Sequence, residues 1–386
     1  MYRSAWCEID LAKFRRNLQC LCGKGPAKAL LVVKANAYGH GLVRIGLEAV
    51  AAGIEMLGVA TVGEAAALLD AGVTAPILIM CALDPTEIDF CVARGVHFIG
   101  WSKEHFGRAV KAAQTYGRKP NVHLEVDTGM SRSGVTTEEL GVLVDSLSTS
   151  ELRSIVGLMT HFHSADLVST TSSEEQLADF HKSVKLLQDL RCGEILVHAA
   201  NSPATIRIRD SHLGMVRLGI AAYGLPPSEY TKLPTGLEPV LRWRATVTNV
   251  KTIPAGMGVG YAWKYVAPSE QRVATLGIGY ADGFRRAPHA VNTVLFRGVE
   301  APVVGSVFMD QCLFVVPDSA SCEAGEVVTL LGDDDGSNVL SAEKIAERWG
   351  TNNYDVVASI RDRVPRRYIG GIDVTSDDDA QWSTEW

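Results

Sequence analysis

Eight apolar runs of strand length, alternating with helix-patterned segments, restrict this chain more than any other feature. They cover 29–33, 57–60, 76–80, 96–100, 122–126, 155–160, 195–198 and 215–218, with helical periods such as 62–71 and 174–190 between them. Continuous apolar character means burial on both faces, as in parallel strands covered by helices. Eight such repeats predict an α/β fold, a (β/α)8 TIM-type barrel over residues 1–230, with its reactive side chains at the C-terminal ends of the strands. At 386 residues the chain has room for a second domain. From about residue 231 the pattern changes. The runs 241–253, 273–277, 291–295, 302–304, 312–316 and 327–331 alternate or run apolar between turns, which predicts a mostly β C-terminal domain over 231–386. One helix, 342–349 capped by Ser341, interrupts it. The strand-like opening, 5–9, places residues 1–10 with that second domain. The acidic tail from Asp373 is expected to be loose, and 332–337 to be a solvated turn.

Composition narrows the partner class. With 47% hydrophobic residues, 21% charged residues and a net charge of -7, the chain reads as a soluble globular protein acting on a small molecule. Nucleic acid and anionic membrane are poor partners for that charge. No run of 18 apolar residues and no signal-peptide pattern is present, so a cytoplasmic location is expected. The eight cysteines lack paired CxxC spacing. They read as reduced core thiols, with no metal site implied.

Reactive residues fall repeatedly at the strand ends. Lys34 ends the first run, followed by Tyr38, Gly39 and Gly41. A lysine at the lip of a dry core suits Schiff-base chemistry with a carbonyl cofactor, although such a lysine can also simply snorkel to solvent. The two glycines are expected to let backbone approach a ligand. Glu125, Asp127 and Arg132 surround the end of the fifth run, His161 and His163 end the sixth, His198 and Asn201 the seventh, and Arg217 lies in the eighth. Each alone could cap a helix or satisfy a loop; together they share one lip. The loops after the seventh and eighth runs, where such barrels often hold phosphate, carry Ser202 and the pair Gly219–Ile220. Ser202 could instead be a helix N-cap. In the second domain, Tyr261 and Tyr280 each follow a glycine-containing stretch. Tyrosine has a reference pKa of about 10, so it serves as a base only beside positive charge and otherwise packs at an interface.

Eight ordered blocks carry a resemblance. They are Glu8-Ile-Asp-Leu, Val33-Lys-Ala-Asn-Ala-Tyr-Gly-His-Gly41, Val126-Asp-Thr-Gly-Met-Ser-Arg-Ser-Gly134, Thr160-His-Phe162, His198-Ala-Ala-Asn-Ser202, Val216-Arg-Leu-Gly-Ile-Ala221, Gly279-Tyr-Ala-Asp-Gly283 and Met309-Asp-Gln311. Over nearly its whole length the chain resembles alanine racemases, pyridoxal-phosphate enzymes with a barrel and a C-terminal β-domain. The resemblance implies that Lys34 carries the pyridoxal 5'-phosphate and is one catalytic base. Tyr261 of the partner subunit, in a head-to-tail homodimer, is implied as the opposing base. Tyr38, Ser202, Gly219 and Ile220 are implied to hold the phosphate, with His161 and Asn201 beside the cofactor. Arg217 is implied at the pyridine nitrogen, and Arg132 with Met309 at the substrate carboxylate. Glu125, His198, Tyr280 and Asp310 are implied supports. Racemisation removes a Cα proton on one face and returns one on the other, so two acid/base groups must flank the reacting carbon. An arginine at the ring nitrogen keeps its own proton and leaves that nitrogen unprotonated. Cationic Arg217 and Arg132 also favour an ionised Tyr261. The implied role is supply of D-alanine for bacterial cell-wall precursors.

Four positions depart from the family pattern. Glu125 stands where many members carry a carbamylated lysine and is expected to pair directly with Arg132, removing any need for bicarbonate. Asp362 takes the place expected for a tyrosine touching the phosphate, Ser306 replaces an entrance arginine, and Leu167 follows Asp166 where a second acid is common. The last three concern the entrance and leave room for a racemase acting on serine or lysine. PLP-barrel decarboxylases are disfavoured, because they usually place a carboxylate at the pyridine nitrogen. A non-catalytic PLP-binding protein is typically a barrel alone, and the second domain argues against it.

Overall fold

The structure, a computed structural model, describes residues 3–22, 27–190, 194–288, 291–336 and 338–371. The tail from Asp373, Cys192 and Ser337 of the 332–337 turn lie outside these residues. The chain divides into two compact units, one of Lys13–Ala37 with Leu42–Glu238, the other of the chain up to Ala12, Tyr38–Gly41 and everything from Pro239 on.

The larger unit is the barrel. After β1 (Ala5–Asp10), which belongs to the other unit, come β2 (Lys28–Val32), β3 (Met56–Val59), β4 (Ile77–Ile79), β5 (His97–Gly100), β6 (Asn121–Glu125), β7 (Ile155–Met159), β8 (Leu196–His198) and β9 (Met215–Leu218). Neighbours from β2 to β8 pair in parallel, and β9 pairs with β2. The remaining seam, between β8 and β9, is crossed by Gly214 N–H donating to Val197 O (3.0 Å) and Arg217 N–H to Ala200 O (2.9 Å). Leu30, Leu31, Leu57, Leu78, Ile79, Phe98, Leu124, Leu158 and Leu218 are fully enclosed. Their burial is why these strands read as unbroken apolar runs. Helix starts are locally encoded: Thr61, Thr136 and Ser148 each form a capping box with the glutamate three residues on.

The second unit is antiparallel apart from one pair. Its strands are β10 (Leu241–Ile253), the hairpin β11 (Gly258–Val259) and β12 (Tyr265–Val266), β13 (Gln271–Leu276), β14 (Thr293–Phe296), β15 (Val299–Val304), β16 (Cys312–Val315), β17 (Val327–Asp333), β18 (Val339–Leu340) and β19 (Arg366–Ile369). β17 pairs with both β14 and β10, so β10-β13-β16-β15-β14-β17 closes on itself. The thirteen residues of β10 make this possible: its first half pairs with β1 and β17, its second with β13. β1 is thereby held on one side by β10 and on the other, in parallel, by β19. A cluster of Ile253, Val259, Ala267, Val273, Val304 and Leu313 supports the β11–β12 hairpin that presents Tyr261. The helix Ala342–Trp349 is capped by the Ser341 hydroxyl, which accepts from Lys344 N–H. Among the described cysteines, Cys7, Cys91, Cys312 and Cys322 are buried and Cys81 is exposed; none is paired. No helix among the described residues is long and apolar enough to cross a membrane.

Candidate active site

β2 delivers Lys34 at the barrel lip, and the backbone turns left-handed directly after it. Ala35, Asn36, Ala37 and Tyr38 have φ values of 53°, 54°, 52° and 52°. That handedness costs roughly 1–2 kcal/mol per non-glycine residue, so other contacts must impose it. Glu64 supplies one set: its carboxylate accepts from Ala35 N–H (2.7 Å), Ala60 N–H (2.8 Å) and Thr61 N–H (3.2 Å). Asn36 Oδ1 accepts from Leu42 N–H at 2.7 Å. Sequence reasoning missed Glu64, because its partner lies 29 residues away and the local pattern shows only a capping box. Glu64→Gln replaces one carboxylate oxygen by an amide NH2 facing N–H donors, and an unfolding free energy lower by about 2 kcal/mol is expected in urea titration.

Gly39 and Gly41 answer to protein rather than ligand, contrary to expectation. A Cβ at Gly39 would lie 2.1 Å from Val357 O, and one at Gly41 1.8 Å from the Tyr368 hydroxyl oxygen.

Arg217, on β9, is 1% exposed and makes no salt bridge among the described residues. Its Nη1 lies 3.0 Å from His198 Nδ1 and donates to His198 O (3.1 Å); its Nη2 donates to Thr160 O (2.7 Å) and Ala199 O (2.9 Å) and lies 3.2 Å from His161 Nδ1. A guanidinium has five N–H donors. The four on Nη1 and Nη2 are committed, while the buried Nε has no partner. Burial lowers the Arg217 pKa to about 10, with Glu125 opposing the shift, so the side chain remains cationic at neutral pH. Besides burial, the charges of Arg217, Arg132 and Lys34 each push the His161 imidazole toward its neutral form.

Burial is also the main reason that His97 falls to about 4 and that His123, His161 and His198 fall well below the usual imidazole value. The unfolded chain therefore binds more protons in acid. Stability is intact above about pH 6.5 and is lost as pH falls toward 4. His97 alone should make the fold about 2 kcal/mol less stable at pH 5 than at pH 7. Equal urea midpoints at the two pH values would contradict its burial as a neutral base.

The loops after β8 and β9 form a small polar cradle. Asn201, not Ser202, caps the helix Ser202–Arg207, accepting from Ala204 N–H at 3.2 Å and donating to Phe162 O at 3.2 Å. That leaves the Ser202 hydroxyl to accept from Gly219 N–H (2.7 Å) and Ala221 N–H (3.5 Å), beside Ile220. Arg132 is exposed and has no ion pair among the described residues. The expected Glu125–Arg132 pair is therefore absent. Glu125 is 3% exposed, and one of its carboxylate oxygens has no partner. Desolvation raises its pKa, opposed by the Ser133 hydroxyl and the charges of Arg132 and Arg217. The loop geometry explains the difference: Asp127 accepts from Gly129 and Ser131 N–H (2.9 and 3.0 Å), turning the following arginine toward solvent. His163 is a loop residue bonded to Ser164 Oγ at 2.7 Å. The amide of Gln176, also missed, ties Thr128, His161 O and His163 N–H together.

In the other unit, the half-buried Tyr38 has its hydroxyl pushed up to about 12 by desolvation, so it stays a neutral donor. Its ring centroid lies 6.2 Å from that of Tyr354. Asp362 is exposed on the turn before β19. Tyr261 is 68% exposed, its ring meeting Phe308 edge-on at 5.3 Å. Tyr280 and Ala281 N–H donate to the carbonyls of Phe308 and Met309, each at 3.0 Å. This loop is anchored by Asp282, which pairs with Arg3 and with Arg363 (3.2 Å); Arg363 also holds Asp310 at 2.6 Å. Ser306 is buried with its hydroxyl unpartnered, so within one chain it borders no opening. Leu167 is 52% exposed.

Comparison with known proteins agrees with this arrangement. The alanine racemase N-terminal domain family matches residues 9–227, and the alanine racemase C-terminal domain family matches 240–368. An alanine racemase from Desulfovibrio desulfuricans is 39% identical over 377 residues, covering 95% of this chain and 98% of the relative. The alanine racemase from Bacillus anthracis, solved with bound L-Ala-P, superposes with a TM-score of 0.89 at 34% identity, covering 96% of each chain. That from Bartonella henselae, solved with covalently bound pyridoxal phosphate, gives 0.84 at 28% identity, covering 95% of this chain and 99% of the other. With its two domain models matched over 9–227 and 240–368, the chain belongs to the alanine racemase family.

Proposed function

We infer that this protein is a racemase interconverting L- and D-alanine with pyridoxal 5'-phosphate as its cofactor. The observation that carries this reading is Arg217, whose one uncommitted N–H is a buried Nε, the four on Nη1 and Nη2 being taken by the protein. A buried orphan donor calls for an acceptor, and a pyridine nitrogen is one. When bound, the cofactor supplies the electron sink that makes the amino-acid α-proton labile. Lys34 holds it and moves a proton at Nζ. Arg217 donates to the ring nitrogen through Nε and, being cationic, never hands that nitrogen a proton. Ser202, Gly219, Ile220 and neutral Tyr38 take the phosphate, and His161 and Asn201 border the ring. Arg132, which has no carboxylate partner among the described residues, orients the substrate carboxylate together with Met309. His198, Tyr280, Asp310 and Glu125 support these groups.

The opposing acid/base group is Tyr261 of the partner subunit. Tyr261, Trp263, Val266 and Met309 are 68%, 66%, 50% and 53% exposed in one chain, an apolar and aromatic surface suited to cover by a second copy. A two-fold dimer of this kind supplies D-alanine as a peptidoglycan precursor. The test is α-deuterium uptake and D-isomer formation in D2O by the PLP-loaded protein offered L-alanine beside L-serine and L-lysine. Preference for alanine is expected; preference for serine or lysine would reassign the substrate, and no exchange with any would overturn the reading.

A further inference from the structure

We propose that His97, His123 and His198 are positioning residues that form a single-tautomer ladder through the barrel, holding Arg217 from the opposite rim. The rungs are explicit. Arg217 Nη1 lies 3.0 Å from His198 Nδ1, His198 Nε2 lies 2.8 Å from His123 Nδ1, and His123 Nε2 lies 3.0 Å from His97 Nδ1. His198 is the last residue of β8, His123 the third of β6 and His97 the first of β5, so the chain of contacts descends from the lip to the N-terminal rim.

The direction of every hydrogen bond follows from its top end. Arginine only donates, so His198 Nδ1 must accept and its proton must sit on Nε2. That proton points at His123 Nδ1, which must accept in turn, and the same step repeats at His97. All three imidazoles are thereby neutral and carry their proton on Nε2. A charged ring, or one with the other tautomer, would set two donors face to face. Burial, the neighbouring imidazoles and the Arg217 charge all push His123 and His198 toward the neutral form.

The fold makes room for the ladder. β7 pairs with β6 in a register that sets Gly157 opposite His123, and a Cβ at Gly157 would lie 2.3 Å from His123 Nδ1. The rings meet at 60° and 67° with centroids 5.2 and 5.0 Å apart, an edge-on geometry that directs nitrogen at nitrogen. The consequence reaches the lip. His198 Nδ1 is one of the acceptors that commit the Nη donors, and that commitment leaves Nε as the donor for the site. Without His97, Arg217 still sets the tautomers, but the His123 Nε2–H loses its acceptor and becomes an unpaired buried donor, so the His123 ring tilts out of line and no longer holds His198 against Arg217.

The inference uses the proposed role of Arg217 only for its consequence, and its test is made first on cofactor-free protein. With 15N-histidine labelling, NMR should show all three rings neutral with the proton on Nε2 at pH 7. In His97→Leu the tautomers should persist, because Arg217 still sets them, while the His123 and His198 ring signals shift as the rings lose their alignment and the Arg217 Nε–H exchanges with solvent about tenfold faster. His97→Gln, whose amide oxygen can accept from His123, should restore both. In the loaded enzyme the same pair should show a kcat lower by about three- to tenfold for Leu and recovered for Gln, with KM unchanged. A ring that is charged or protonated on Nδ1 in the intact chain would overturn the ladder, as would His198 signals unmoved in His97→Leu. Should His97→Leu fail to fold, the tautomers of the intact chain decide by themselves. A chain inactive toward alanine would leave this measurement unaffected, so failure of the ladder and failure of the racemase reading are separable.

Discussion

Lys34→Ala is expected to abolish interconversion of L- and D-alanine in both directions, by at least about four orders of magnitude. Two losses combine in one residue. General acid–base catalysis by a positioned side chain contributes roughly 10²–10⁴ in rate, and the covalent tether that keeps the cofactor in register is lost as well. The remaining contacts, Arg217 Nε and the Ser202–Gly219 cradle, are untouched by the substitution. The variant should therefore still bind pyridoxal 5'-phosphate but release it on dialysis, where the wild type retains it. The fold should survive, because Lys34 is only half-buried and the turn after it is held by Glu64 and Asn36. Racemisation above one hundredth of the wild-type rate, with circular dichroism unchanged, would remove Lys34 from the chemistry.

What could be read from the sequence and what could not divide along a physical line. The eight barrel strands were legible because parallel strands buried on both faces leave an unbroken apolar signature, visible even for the three residues of β4 and β8. The strand-end residues followed from the topology. The left-handed turn after Lys34 was not legible: Ala35, Asn36 and Ala37 include no glycine, and the conformation is imposed by Glu64 from another repeat. The histidine ladder was hidden for the same reason, its rungs joining residues 26 and 75 positions apart. Glu125 shows the opposite error. The resemblance, which sets a glutamate in place of a carbamylated lysine, suggested a pair with Arg132, but the Asp127-capped loop between them turns the arginine outward.

Tyr261→Phe should lower racemisation by roughly 10²–10⁴ while leaving one half-reaction in place. L- and D-alanine are mirror images, so their equilibrium constant is one and the variant must lose kcat/KM equally in both directions. The asymmetry appears instead in exchange. Lys34 can still remove and return the α-proton on its own face, so α-deuterium enters D-alanine without inversion, while uptake into L-alanine collapses. Equal exchange of both isomers would assign the opposing proton to another group. Where Tyr261 acts is decided by mixing. If it serves the partner's site, a dimer of one Lys34→Ala chain with one Tyr261→Phe chain concentrates both lesions in one site and leaves the other intact. Random reassociation of equal amounts then restores about one quarter of wild-type activity. If Tyr261 serves its own chain's site, every site keeps one lesion and nothing returns. The 68% exposure of Tyr261 in the single chain favours the first outcome, since a tyrosine working within its own chain has no reason to stand so far out of it.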